Sequence, residues 1–341
     1  MMKYLVPFVT ALIFTALFIF LLKFAANNVR WRGRVSGRHI NKGNAFRVGG
    51  IAMIIAFNLS ILLNPDLFIS VQLFGVMLAS MVILVIGVWD DVREVFWKTQ
   101  FFYQVAAAII VFIFGLRIYG LLISPFGGII HLTAGIGIIV SVFLVIFWIV
   151  LLINSMNWLD GIDGLSGGIF FIGAITIFIL SLRPEVNQPP VAILALILSG
   201  VTLSFLIFNF YPSIVIAGTS GSMFMGFALA ALAIFAGTKV ATAILVLSLP
   251  IIDFVWVIGE RMRRGKSIFK ADRNHLHYKL MELGWSQRKI ALYFYSITIM
   301  LAIVALNTRV IGKSITLFAT VAIMMGALIF INKKLDHKQK N

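Results

Sequence analysis

Polar residues are scarce along this chain and fall in short clusters between long apolar runs. A helix that crosses a bilayer needs about 20 apolar residues. Runs of that kind stand near 4–26, 48–63, 69–88, 101–116, 136–153, 167–182, 190–210, 221–237, 239–259, 289–306 and 312–332. They predict an all-α, polytopic integral membrane protein with about eleven transmembrane helices. The first run is too long for a removable signal peptide and lacks a cleavage signature, so it reads as a retained helix. Gly120–Gly135 (GLLISPFGGIIHLTAG) is apolar but carries Pro125 and several glycines, which fits a re-entrant segment or short β-hairpin at the membrane surface better than a span.

Composition agrees and narrows the options. Of 341 residues, 61% are hydrophobic and 12% charged, whereas soluble domains run at roughly 45–50% and about 25%. A water-soluble fold is excluded. The absence of cysteine removes disulfides, Cys-ligated zinc and a thiol nucleophile. Lys and Arg number 28 against 12 acids, a net charge of +16. If the loop after the first helix is inside, the inner segments are 27–47, 89–100, 154–166, 211–220, 260–288 and the tail from 333. With Lys289 at the edge of the next span, the inner side then holds 21 basic residues and the outer side 6. Basic residues concentrate in cytoplasmic loops, so the N-terminus is expected outside and the C-terminus in the cytoplasm. The basic excess is then largely topological, and no nucleic-acid partner is needed to explain it.

The twelve acids are more informative. Asp90 and Asp91 close the third apolar run, where adjacent carboxylates repel each other and face the negative end of the helix dipole. Something positive is expected to bind there, although a solvated helix exit is the plainer reading. Asn154, Asn157, Asp160 and Asp163 recur every third residue, so on a helical or tight-turn path their oxygens share one side. Oxygen donors of this kind suit Mg²⁺, which commonly shares its shell with substrate phosphates. A capped turn is the alternative. His275 and His277 follow a basic stretch in 260–288, and such a loop suits a diphosphate. Without an HExxH spacing or cysteine, zinc is disfavoured.

Together these segments resemble the polyprenyl-phosphate N-acetylhexosamine-1-phosphate transferase superfamily (glycosyltransferase family 4 type). Within it, the bacterial undecaprenyl-phosphate GlcNAc-1-phosphate transferases are most similar. Arg38-His39 leading to Gly49-Gly50 resembles the first cytoplasmic motif, and Asp90-Asp91 with Lys98 and Gln104 the second. NWLDGIDGLSGG (157–168) resembles the NxxDGxDGL motif. Asn209 through GTSGSMFMGF (218–227) resembles the fourth motif, and GKSIFKADRNHLHY (265–278) the histidine loop. The fourth motif usually reads GD(S/T)GS; Thr219 stands at its aspartate.

The resemblance implies a single membrane transferase domain over 1–341, with 260–288 as its basic, histidine-containing cytoplasmic loop. The reaction it implies is transfer of GlcNAc-1-phosphate, or another N-acetylhexosamine 1-phosphate, from a UDP-sugar to undecaprenyl phosphate. UMP is released, and the product initiates a lipid-linked cell-envelope glycan. The implied cofactor is Mg²⁺, with Mn²⁺ as a substitute, and the implied place is the inner (plasma) membrane, with a homodimer as the assembly. Asp90, Asp91, Asp160, Asp163, His275 and His277 become the expected catalytic residues. Arg38, His39, Lys98, Asn157, Asn209 and Arg273 are expected to bind substrate. Asp163, Asp160 and Asn157 are the expected metal ligands, with Thr219 a weaker, neutral candidate. A transporter is the competing class, since intramembrane acids mark ion pathways, but only Asp253 lies within a run. An inactive homologue that binds lipid phosphate or nucleotide is the other alternative, suggested by Thr219.

Overall fold

Every apolar run folds as helix in the computed structural model, which describes residues 2–29, 45–123, 128–237, 240–268 and 274–340. In chain order these are α1 (Met2–Val29), α2 (Gly49–Leu62), α3 (Val71–Val92) and α4 (Trp97–Ile113), then strands β1 (Gly120–Ile123) and β2 (Gly128–His131). There follow α5 (Ile136–Leu159), α6 (Leu165–Ser181), α7 (Pro189–Asn209), α8 (Gly218–Phe235), α9 (Val240–Val246) and α10 (Ser248–Arg263). The chain closes with α11 (Leu276–Glu282), α12 (Gln287–Asn307) and α13 (Val310–Lys340). Local chemistry sets several starts. The Ser70 and Ser286 hydroxyls accept from Leu73 N and Lys289 N at the first turns of α3 and α12. Prolines at the start of α7 occupy positions whose N–H groups have no helical partner.

Among the described residues, seven helices are long and apolar enough to cross a membrane, or eight if α9 and α10, which meet at 72°, form one broken span. The remaining three predicted spans are the short apolar helices α2, α4 and α6. At 14 and 17 residues they measure about 21 and 26 Å, below the roughly 30 Å hydrocarbon thickness. The all-α expectation gives way at Gly120–Ile123 and Gly128–His131, which pair antiparallel with Gly120 opposite His131. That hairpin is one of the two forms anticipated for the segment.

The centre of the bundle is α8, 89% of which is buried, against 22% of the apolar stretch of α1 and 17% of that of α13. It packs on α2, α3 and α5. Its small residues permit this closeness, as in membrane helix pairs generally: a Cβ on Gly87 of α3 would fall 2.3 Å from Ser220 Cα. The chain before α2 runs alongside the chain before α8, bonding Phe46 N to Ile214 O and Ile216 N to Phe46 O. Gly49 N and Gly50 N then donate to Ile216 O and Ala217 O. The unpaired amides that open a helix are thereby satisfied, and two sequence motifs are fastened together.

Candidate active site

Four segments distant in sequence meet where α3 and α5 end and α2 and α8 begin. Asp91, at the end of α3, is buried and accepts from Thr219 N at 2.9 Å, Ser220 N at 3.3 Å and Ser220 Oγ at 3.0 Å. Its carboxylate therefore caps α8, whose N-terminus favours negative charge. Arg47, itself buried, lies 3.4 Å away as a counter-ion. Gly218 turns the chain at φ +68, and a Cβ there would meet Asp91 Oδ2 at 2.5 Å. Only glycine fits both the conformation and the space.

Asp90 turns the other way. Its Oδ1 accepts from Val95 N (2.9 Å) and Gln100 Nε2 (2.7 Å), and its Oδ2 accepts from Thr219 Oγ1 at 2.6 Å. Thr219 thus joins the two aspartates, by its amide to Asp91 and by its hydroxyl to Asp90. Asp90 lines a cavity of about 630 Å³ together with Gln100, Gln104, Asn154, Asn157, Trp158 and the α10 residues Phe254 and Ile258. Its lining combines polar side chains with aromatic and aliphatic ones, a composition that suits an amphiphile.

The every-third-residue series does not present one face. Because α5 stops at Leu159 and the chain turns through Gly161 and Gly164, only Asn154 and Asn157 keep helical register. Asn154 pairs with Gln104 (2.7 Å) and Asn157 donates to Ser222 Oγ (2.7 Å). Asp160 accepts from Ser166, and Asp163 from Ser213 N and Ser213 Oγ, both at 3.0 Å. Among the described residues, no three His, Asp or Glu side chains converge tightly enough to enclose a metal. Asp160 and Asp163, two of the expected ligands, thus belong to no such cluster of three. Asp160 is nonetheless held in a negative field. Burial pushes its carboxyl up to about 6, and the charges of Asp163 and Asp91 add to this against the Ser166 bond and Arg47. That field and the oxygen donors fit Mg²⁺ bound by one or two carboxylates, with the rest of its shell from substrate phosphates and water.

The histidine loop closes over this turn. His275 Nδ1 lies 2.7 Å from Asp253 Oδ2, and Leu276 N donates to Asp253 Oδ1 at 2.8 Å. His277 is fully buried and stacks on His275 at 5.7 Å between ring centroids. It packs so closely on Gly161 that a Cβ there would sit 2.4 Å from its Nε2. Burial, with the neighbouring His275 charge, pushes the His277 pKa down to about 3, so the ring is neutral near pH 7.

Other expected residues are placed differently. Asn209 spends its amide on the scaffold, accepting from Gly164 N (3.0 Å) and donating to Val215 O (2.9 Å). Lys98 is exposed at the start of α4, over the rings of Trp97 and Phe96. Arg38, His39 and Arg273 lie outside the described residues. Arg47, Ser213, Ser220 and Gln287, which accepts from Asp163 N at 3.1 Å, went unmarked in the sequence. The signal available for Arg47 was its position just before Gly49-Gly50, and for Ser213 and Ser220 their place within the stretch from Asn209 to the GTSGSMFMGF motif; no spacing pointed to Gln287.

The family model described as Glycosyl transferase family 4 matches residues 73–237, the stretch from α3 through α8 that carries both acidic segments. Among curated proteins, the chain is 27% identical over 338 residues to a probable undecaprenyl-phosphate N-acetylglucosaminyl 1-phosphate transferase of Bacillus subtilis, covering 97% of this chain and 91% of that one. It is 31% identical over 322 residues to the decaprenyl-phosphate N-acetylglucosaminephosphotransferase of Mycobacterium tuberculosis, covering 83% and 76%. A phospho-N-acetylmuramoyl-pentapeptide-transferase of Citrifermentans bemidjiense is 31% identical over 296 residues, covering 79% and 81%.

Proposed function

Because the chain belongs to the polyprenyl-phosphate N-acetylhexosamine-1-phosphate transferase superfamily, of the glycosyl transferase family 4 type, we propose that it transfers GlcNAc-1-phosphate from UDP-GlcNAc to undecaprenyl phosphate. The relatives named for a GlcNAc phosphotransferase activity support this choice of sugar. The reading places the site at the cytoplasmic face of the inner membrane, with eleven crossings, the N-terminus outside and the product entering envelope glycan synthesis. The observation that carries it is the joining of Asp90, Asp91 and the opening of α8 through Thr219, at the edge of a cavity lined by both polar and apolar side chains.

In the reaction, an oxygen of the lipid phosphate forms a bond to the β-phosphorus of the UDP-sugar. The bond from that phosphorus to the bridging oxygen breaks, and the oxygen leaves with UMP. Transfer between two anions depends on positioning and charge neutralisation. Asp90, on the cavity wall, takes up the proton of the lipid phosphate, while Asp91 holds α8 and Arg47 in place. Asn157 orients the sugar nucleotide beside Asp160 and Asp163, and Lys98, His275 and His277 serve the diphosphate end. Asp160 and Asp163 would hold Mg²⁺, which would neutralise the diphosphate charge when bound.

The test is purified protein with undecaprenyl phosphate, Mg²⁺ and a panel of UDP-sugars, scored for UMP. Release with UDP-GlcNAc in preference to UDP-GalNAc supports the reading, and its loss on chelation supports the cofactor. No UMP with any sugar, under conditions where a relative turns over, overturns it.

A further inference from the structure

Asp253 is a buried carboxylate within a helix of the broken span, and the reaction above gives it no task. Burying an acid at such depth is costly unless it is fully partnered. Both of its oxygens are engaged on one short segment: Oδ2 on His275 Nδ1 at 2.7 Å and Oδ1 on Leu276 N at 2.8 Å. The side chains of the two partners are 4% and 5% exposed, so water does not compete for the contact. Seven residues further along α10, on the same face, buried Glu260 reaches Lys279 of α11 at 3.4 Å. α10 therefore grips the histidine segment at two points two helical turns apart. His275 in turn meets Trp158 edge-on at 5.2 Å, and Trp158 lines the cavity.

We propose that Asp253 is a positioning residue for the transfer: it holds the His275 ring by Nδ1, so that Nε2 is the nitrogen presented to the diphosphate. The chemistry follows from the donor inventory. A carboxylate only accepts, so Nδ1 carries the hydrogen in either charge state of the ring, and when the ring is neutral its lone pair is on Nε2. An acid that fixes ring orientation and tautomer in this way sets which nitrogen can act, as in other histidine-dependent sites. Replacement by asparagine tests this with little change of shape. The amide oxygen still accepts from Leu276 N, but the amide NH₂ now donates to Nδ1 and drives the ring hydrogen to Nε2.

The inference rests on the proposed transferase reading for its consequence in turnover, whereas the tautomer itself is read without turnover. In protein labelled with ¹⁵N-histidine in nanodiscs, with His275 assigned from a His275→Gln sample, the neutral wild-type ring is expected as the Nδ1–H form. A wild-type Nε2–H form overturns the proposal, whether or not any variant folds. Asp253→Asn is expected to give Nε2–H and to lower kcat by about 10²–10⁴-fold, with KM for UDP-GlcNAc within about threefold of wild type. Glu260→Gln loosens the other grip without touching the ring, and is expected to leave the tautomer unchanged and cost less in kcat. Full turnover in Asp253→Asn, or equal losses in both variants without a tautomer change, refutes the positioning role. Absence of UMP release from wild type refutes the activity and leaves the tautomer result to decide the pairing.

Discussion

Asp90 and Asp91 are adjacent in sequence and opposite in role, and replacing each in turn separates folding from turnover. Asp91 is buried, with three donors from the opening of α8 and Arg47 beside it. Asp91→Ala removes an acceptor shared by two amides and a hydroxyl, and the carboxylate beside the buried Arg47 guanidinium. Breaking a buried ion pair from one side costs about 3–5 kcal/mol, and loss of a charged helix cap accounts for about 0.5–2 kcal/mol within that figure. Asp90 is only partly buried and borders the cavity. Its donors can turn to water there, so Asp90→Ala is expected to cost roughly 1 kcal/mol. The assay is thermal unfolding of purified protein in one detergent, in parallel with UMP release. The expected result is that both variants lose turnover, but only Asp91→Ala melts well below wild type, with Asp91→Asn in between. Equal melting of the Asp90 and Asp91 variants, or a wild-type melt for Asp91→Ala, refutes the assignment of the cap.

Protonation gives a second expectation. His277 has its folded pKa depressed to about 3 from 6.5, so its contribution is full above 6.5 and is lost as pH falls towards 3. At pH 5 the loss is about 2 kcal/mol, from 1.36 kcal/mol per unit; His277→Leu should melt with a shallower decline from pH 7 to 5, and parallel declines would count against a neutral buried ring. Asp160 runs the opposite way, its folded carboxyl raised to about 6, so its bound proton favours the fold as pH falls and that contribution is lost as pH rises through 6. A cation that replaces this proton should therefore raise the melting temperature more at pH 7.5 than at pH 5, and a Mg²⁺ effect that is flat with pH speaks against Asp160 as a ligand. Thr219→Asp sets a third carboxylate beside Asp90 and Asp91; the variant should melt below wild type in EDTA and recover with Mg²⁺, and failure to recover places position 219 outside the metal's reach.

The chain by itself determined its solvent and its helices. Eleven apolar runs appear as helix because backbone groups in a bilayer must be satisfied within the segment, and length and hydropathy record that demand locally. The two aspartate clusters and the histidine pair were equally legible, since charge is so rare in this composition that each exception stands out. Pro125 and the glycines around it similarly disclosed a segment that is no helix, and a hairpin stands there.

Tertiary structure decided which of those residues touch, and therefore what each one does. Asp90 and Asp91 are indistinguishable in sequence; the approach of α8 makes one a cap and leaves the other at the cavity. Asn209 braces the turn after α5, with both ends of its amide on backbone groups 45 and 6 residues away. The even spacing from Asn154 to Asp163 lost its meaning where α5 stops at Leu159. Arg47, Ser213 and Asp253 gained theirs only from partners remote in the chain. Periodicity is a local property and survives in a string of letters. The pairing of Asp91 with donors 128 and 129 residues away is set by packing, and no spacing along the chain encodes it.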